Sequence, residues 1–137
     1  MLKYCLGFTM LALASCSQPH KSETMTLLPD GHWQLLSVQG QEPPIGVNAD
    51  LLVDGASVTG RSGCNRFNGQ QRINDKGSLQ LGPFAATRML CAEDQNKLEQ
   101  LIFSTFSEVK AYKQAGKQLI LLDTEGVSVS IYEQVES

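Results

Sequence analysis

The chain is poor in what metal and nucleophile chemistry needs. It has two histidines, His20 and His32, and four cysteines, with no Cys-x-x-Cys pair and no His-Glu-x-x-His run. Structural zinc takes close pairs of Cys or His ligands, so neither a metal nor any other cofactor is expected. There is no Gly-x-Ser-x-Gly elbow, which removes the α/β-hydrolase nucleophile. The stretch GRSGCNRFNG, residues 60–69, lacks the Lys-Ser/Thr end of a phosphate-cradling loop. Cations are outnumbered, 11 Lys and Arg against 14 Asp and Glu, the opposite of a nucleic-acid binder. No apolar run reaches the ~20 residues that cross a bilayer.

One short apolar run is present, and it lies at the N-terminus. MLKYCLGFTMLALASCS has Lys3, then apolar residues to Ala14, then Leu13-Ala14-Ser15-Cys16. This is the layout of a secretory signal, and its end resembles a bacterial lipobox, in which the cysteine becomes the lipidated first residue of the mature chain. The expected organisation is a lipoprotein signal peptide over 1–15, a lipidated N-terminus at Cys16 with a polar tether to 30, and one domain over 31–137. Ser17, rather than Asp, follows the cysteine. That resembles sorting to the outer membrane, facing the periplasm, with the lipid as the membrane partner.

Cleavage discards Cys5 and lipid consumes Cys16, leaving Cys64 and Cys91. Two thiols alone in an oxidising compartment usually pair. A bridge between them would add roughly 3–4 kcal/mol on the chain-entropy view. The rival reading is a reactive Cys91. It precedes a helix start and lies near Arg88, and both features favour a thiolate. Its base could only be His32, the one histidine of the domain.

The domain reads as short strands with one helix. Strands are expected at 32–38, 50–53, 57–61, 65–73 and 78–81, with a further short edge strand at 83–87. Asp54-Gly55 and Asn74-Asp75-Lys76-Gly77 mark turns. Gln39 to Asp50 is a loop stiffened by Pro43 and Pro44. A helix over 92–107 follows from Leu98, Leu101, Ile102, Thr105 and Phe106 at helical spacing, with Glu93 and Asp94 in the first turn, where the helix dipole favours acids. A meander of three strands ends the chain at 109–114, 117–122 and 127–133. In its last strand Val127, Val129 and Ile131 alternate with Ser128, Ser130 and Tyr132, predicting that the valine side is buried. The fold class is α+β, a curled antiparallel sheet, barrel-like or two-layer, with one amphipathic helix packed on it.

Charge is unevenly distributed. Between Gly60 and Cys91 lie Arg61, Arg66, Arg72, Lys76 and Arg88 against Asp75 alone. Those five are a possible anion-binding patch for an anionic glycolipid or an acidic envelope protein. The alternative is that they are solvated or paired with acids elsewhere in the domain.

Trp33 at the domain start, Gly63-Cys64-Asn65 with Phe67 and Gly69, and Thr87-Arg88-Met89-Leu90-Cys91 before an acidic helix start together resemble the META domain family, which includes heat-shock-associated lipoproteins. The resemblance covers about Leu28 to Val135. It implies a small α+β envelope domain without a catalytic site, a Cys64–Cys91 disulfide, and a link to envelope stress and antibiotic tolerance. Gln70 and Gln71 stand where many members carry an aromatic residue. The expected function is therefore an outer-membrane lipoprotein, not an enzyme and not a nucleic-acid binder, which binds another envelope component. The alternatives are an enzyme inhibitor or chaperone-like protein acting through the 39–48 loop, and a thiol enzyme using Cys91.

Overall fold

A computed structural model describes residues 26–136; the segment expected to be a signal peptide, and Cys16, lie outside the described residues. The elements are β1 (Gly31–Val38), β2 (Ala49–Asp54), β3 (Ser57–Ser62), β4 (Arg66–Ile73), β5 (Leu79–Ala86), α1 (Glu93–Glu108), β6 (Ala111–Ala115), β7 (Gln118–Leu122) and β8 (Ser128–Gln134). All eight strands form one antiparallel sheet in the order β5-β4-β3-β2-β1-β8-β7-β6. Short turns place most neighbours side by side, and the one long-range join pairs the first strand with the last. The sheet curls into a half-barrel. Its two edges are tied where Leu79 N donates to Lys110 O at 2.8 Å.

Helix α1 packs on the sheet through Leu98, Ile102, Thr105 and Phe106, a single face at the expected spacing. Trp33, Leu51, Val58, Leu119 and Leu121, all fully buried, come from the sheet into the same core. A cluster of phenylalanines joins sheet to helix: the Phe67 ring lies 5.2, 5.5 and 5.7 Å from Phe84, Phe103 and Phe106, edge to face. Gly69 sits against the Phe84 ring, where any side chain would collide with it.

Three expectations need correction. The two pieces expected at 78–81 and 83–87 are one strand, β5, made continuous by a register shift opposite Gly69 and Gln71. The buried side of β8 holds only in part: Val129 is buried as expected, but Ser130 and Tyr132 are buried too, Ile131 is half-buried and Val127 is exposed. Tyr132 pairs with Leu35 and Leu119, both core residues, so the inner face is set by its neighbours across the sheet. Burial pushes its phenol well above the ordinary tyrosine range. Finally, the folded unit starts before residue 31. Leu28 is buried, and the buried Gln71 holds it on both sides, accepting from Leu28 N at 2.7 Å and donating to Leu28 O at 3.2 Å and Gly55 O at 2.7 Å. Gln71 thus serves as the hydrogen-bonding partner of the incoming chain.

The residues of the two family-like motifs meet at one end of the half-barrel. Cys64 and Cys91 form a disulfide, joining the β3–β4 turn to the segment before α1. Beside it the Glu99 carboxylate of α1 accepts from Ser62 Oγ at 2.6 Å, Asn65 N at 3.0 Å and Asn65 Nδ2 at 2.9 Å. Asn65 Oδ1 accepts from Met89 N at 2.7 Å and Thr87 Oγ1 at 3.1 Å. Gly63 has φ of 93°, and a Cβ there would come within 2.9 Å of Leu98 and 3.2 Å of Val47. The turn therefore presses directly on the helix.

The disulfide and the Glu99 carboxylate tie the same segments. Replacing both cysteines by alanine is expected to lower stability by roughly 2–5 kcal/mol. Glu99→Ala strands the donors of Ser62 and Asn65, at about 1–3 kcal/mol. Combining the three changes is expected to cost more than the sum, because either tie holds the turn when the other is gone. Urea unfolding of the variants measures this, and strict additivity would show two independent ties. Denatured, unreduced protein is expected to show no Cys64 or Cys91 thiol on titration.

Candidate anion-binding face

Strand alternation puts one set of polar side chains on the outer wall of β1–β4. Two rows run across it in register: His32, Leu52, Thr59 and Asn68, then Gln34, Asp50, Arg61 and Arg66. The core lies beneath, so these side chains are free to face solvent or one another.

Asp50 organises the group. It is only 7% exposed, yet its carboxylate is fully engaged. Oδ1 accepts from Arg61 N at 2.8 Å; Oδ2 accepts from Arg61 Nη2 at 2.9 Å and Nε at 3.3 Å. His32 Nε2 lies 3.0 Å from the same oxygen. An ionised carboxylate only accepts, so Nε2 donates in this bond. Burial pushes the Asp50 carboxyl up, but the hydrogen bonds from Arg61 and His32 and the Arg61 charge outweigh it and hold it below the ordinary range.

Over this group lies a shallow depression of about 440 Å³, bounded by His32, Asp50, Leu52, Thr59, Arg61 and Arg66. Arg66 faces Arg61 directly across the strand pair, and among the described residues it has no acidic partner. The five expected cations do not form one patch. Arg61 and Arg66 are neighbours, but Arg61 is paired with Asp50. Arg72 lies three outward positions further along β4, roughly 20 Å from Arg66 at strand rise, and donates to Gln80 Oε1 at 3.1 Å. Lys76 sits in the β4–β5 turn, and Arg88 on the segment before α1 at the opposite end. Sequence reasoning missed His32, Asp50 and Thr59 as one group. The available signal was Asp50, an acid inside the otherwise apolar run Ala49–Val53.

Cys91 is not a free nucleophile: its sulfur is bonded to Cys64. The 39–48 loop carries Ile45 fully exposed at its tip, near a groove of about 210 Å³ against α1 lined by Pro44, Leu98 and Leu101. Among the described residues no group of His, Cys, Asp and Glu converges as a metal site, and no helix is long and apolar enough to cross a membrane.

A carboxyl held low in the folded state contributes stability that is complete above its unfolded pKa, ~3.9, and is lost as pH falls through its folded value. Wild-type protein is therefore expected to lose melting temperature below about pH 4 more steeply than Asp50→Asn. At pH 7 the variant should be about 1–3 kcal/mol less stable, through weaker bonds to Arg61 and His32. Parallel acid limbs in the two melting curves would exclude Asp50 as the linked group.

The model of the META domain matches residues 25–136. No curated protein matches. Two solved structures share the fold. An NMR structure of a protein from Burkholderia xenovorans is 20% identical with a TM-score of 0.66, covering 96% of this chain and 100% of its own. A second NMR structure is 24% identical with a TM-score of 0.58, covering 76% of this chain and 88% of its own. The match across nearly the whole described chain leads to one conclusion: this chain belongs to the META domain family.

Proposed function

We propose that this protein is a lipid-anchored component of the outer membrane, facing the periplasm, whose META domain binds an anionic envelope partner and thereby supports envelope integrity under stress. It acts by binding and not by catalysis. The observation that supports this reading is a division of labour among the polar groups. Ser62, Asn65, Thr87, Glu99 and the two cysteines are occupied in holding the turn to the helix. The outer wall offers Arg66 and Arg72 with no acid paired to either among the described residues. Cationic side chains along an outer strand attract polyanions.

A second reading rests on Ile45 and Leu90. Both are fully exposed, and both stand on stiffened segments, one beside Pro43-Pro44 and the other beside the Cys91 disulfide. Preformed apolar tips lose little entropy on docking, as an inhibitor or chaperone-like contact with a periplasmic protein requires.

Two measurements test the first reading. Cys16→Ser is expected to release the protein from membranes or leave an uncleaved precursor; a processed variant still in the outer membrane would remove the anchor. Arg66→Gln with Arg72→Gln is expected to abolish salt-sensitive retention on an anionic glycolipid surface. Arg61 is kept because its loss would uncover Asp50. Equal retention of the variant and wild type at low salt would refute polyanion binding by this face.

A further inference from the structure

We infer that the depression over Asp50 is a binding site for a phosphate monoester, its phosphate held between Arg61 and Arg66 and its carrier lying over Leu52. The inference rests on the anion-binding reading and gives it a site and a ligand class.

Four observations lead there. First, Arg61 and Arg66 are directly opposed in the β3–β4 ladder. Like charges at opposed positions repel, and Asp50 neutralises only one of them. An anion between the two guanidinium groups removes that repulsion. Second, Arg61 is set in place. Asp50, almost wholly buried, takes Nε and one Nη2 hydrogen. Three of the five guanidinium donors remain for a ligand, already oriented. Third, two arginine forks suit the three oxygens of a phosphate monoester, whose charge of about −1.5 to −2 at neutral pH calls for two cations. A carboxylate, with one charge and two oxygens, would use one fork and leave the other unmatched.

Fourth, the remaining walls suit a small polar carrier. The His32 ring is held through Nε2 on Asp50 and lines the depression. Thr59 adds a hydroxyl, and Leu52, 51% exposed, supplies an apolar wall beside it. The depression of about 440 Å³ has room for a phosphate with a sugar-sized carrier. The same chemistry occurs on a free sugar phosphate and on a phosphorylated glycolipid headgroup.

The test uses the purified full chain and follows backbone amide shifts of Arg61 and Arg66 by NMR. The probes are glucose 1-phosphate in solution and phosphatidylcholine vesicles carrying a phosphorylated glucosamine disaccharide lipid, with glucose and undoped vesicles as controls. Phosphate-dependent shifts at both residues are expected with at least one probe, and the probe that produces them identifies the source. Arg66→Gln is expected to weaken binding at least about tenfold, while Lys113→Gln, exposed on β6 at the far edge of the sheet, leaves it unchanged. Equal weakening by the two variants would mean diffuse attraction and would overturn the site. Retention on an anionic surface without phosphate-dependent shifts would overturn the site and leave the polyanion reading standing. Loss of both would overturn both.

Discussion

The join between the β3–β4 turn and the helix rests on the Glu99 carboxylate, with the disulfide beside it. A half-barrel whose edge strands are tied at one point needs something else to hold its helix in place. Glu99 does this by accepting from the backbone and side chain of Asn65 and from Ser62, so one helical side chain closes the β3–β4 turn. Asn65 then reaches the other way, to Thr87 and Met89. Turn, helix and connector thereby share one hydrogen-bond network, and the disulfide runs parallel to it. Hydrogen bonds to a charged acceptor are stronger than neutral ones, and stranding their donors is costly. The fit also requires a residue without a side chain at Gly63, where Leu98 and Val47 close in. A motif of Gly, Cys and Asn followed by Thr and Cys is thus a structural device for joining a helix to a curled sheet.

A second carboxylate plays a comparable part on the opposite side of the sheet. Asp50 is as well satisfied as Glu99, but its donors come from the outer wall and leave open space above them. Glu99 is half-buried, and both its oxygens are taken up by Ser62 and Asn65. Asp50 instead fixes the orientation of Arg61 and His32 while their other faces remain outward. The first arrangement stabilises; the second prepares a surface.

How far each of these was legible follows from the range of the interactions. The helix, with Leu98, Ile102, Thr105 and Phe106 on one face, and the turns at Asp54-Gly55 and Asn74–Gly77 depend on neighbours in the chain, and the sequence displays them directly. The Cys64–Cys91 bond followed from a count and a compartment, and from the family resemblance. The buried face of β8 did not. Val127, Val129 and Ile131 suggest one face, but register shifts in its pairing with β7 and β1 turn Tyr132 inward between Leu35 and Leu119. Gln71 likewise gives no local sign that it will hold Leu28, 43 residues away. The cations were visible as a cluster in sequence, yet alternation and strand length spread Arg66 and Arg72 along β4 and put Arg88 on a different segment. Asp50, His32 and Arg61 come from three strands, and only the register of β1, β2 and β3 brings them together.

That register also explains why the outer wall is electrostatically unfinished. If β3 and β4 were offset by two residues, Arg66 would lie away from Arg61, and the repulsion between them would fall. The register is not free to shift, because Phe67 must enter the core beside Phe84, Phe103 and Phe106, and Asn65 must reach Glu99. Core packing and the turn network together outweigh the cost of two opposed arginines, which is modest at an exposed position. The paired charges are therefore held in place by interactions on the other face of the same strand. A ligand that neutralises Arg66 would relieve this imbalance without any strand having to move, so binding there requires little rearrangement of the protein.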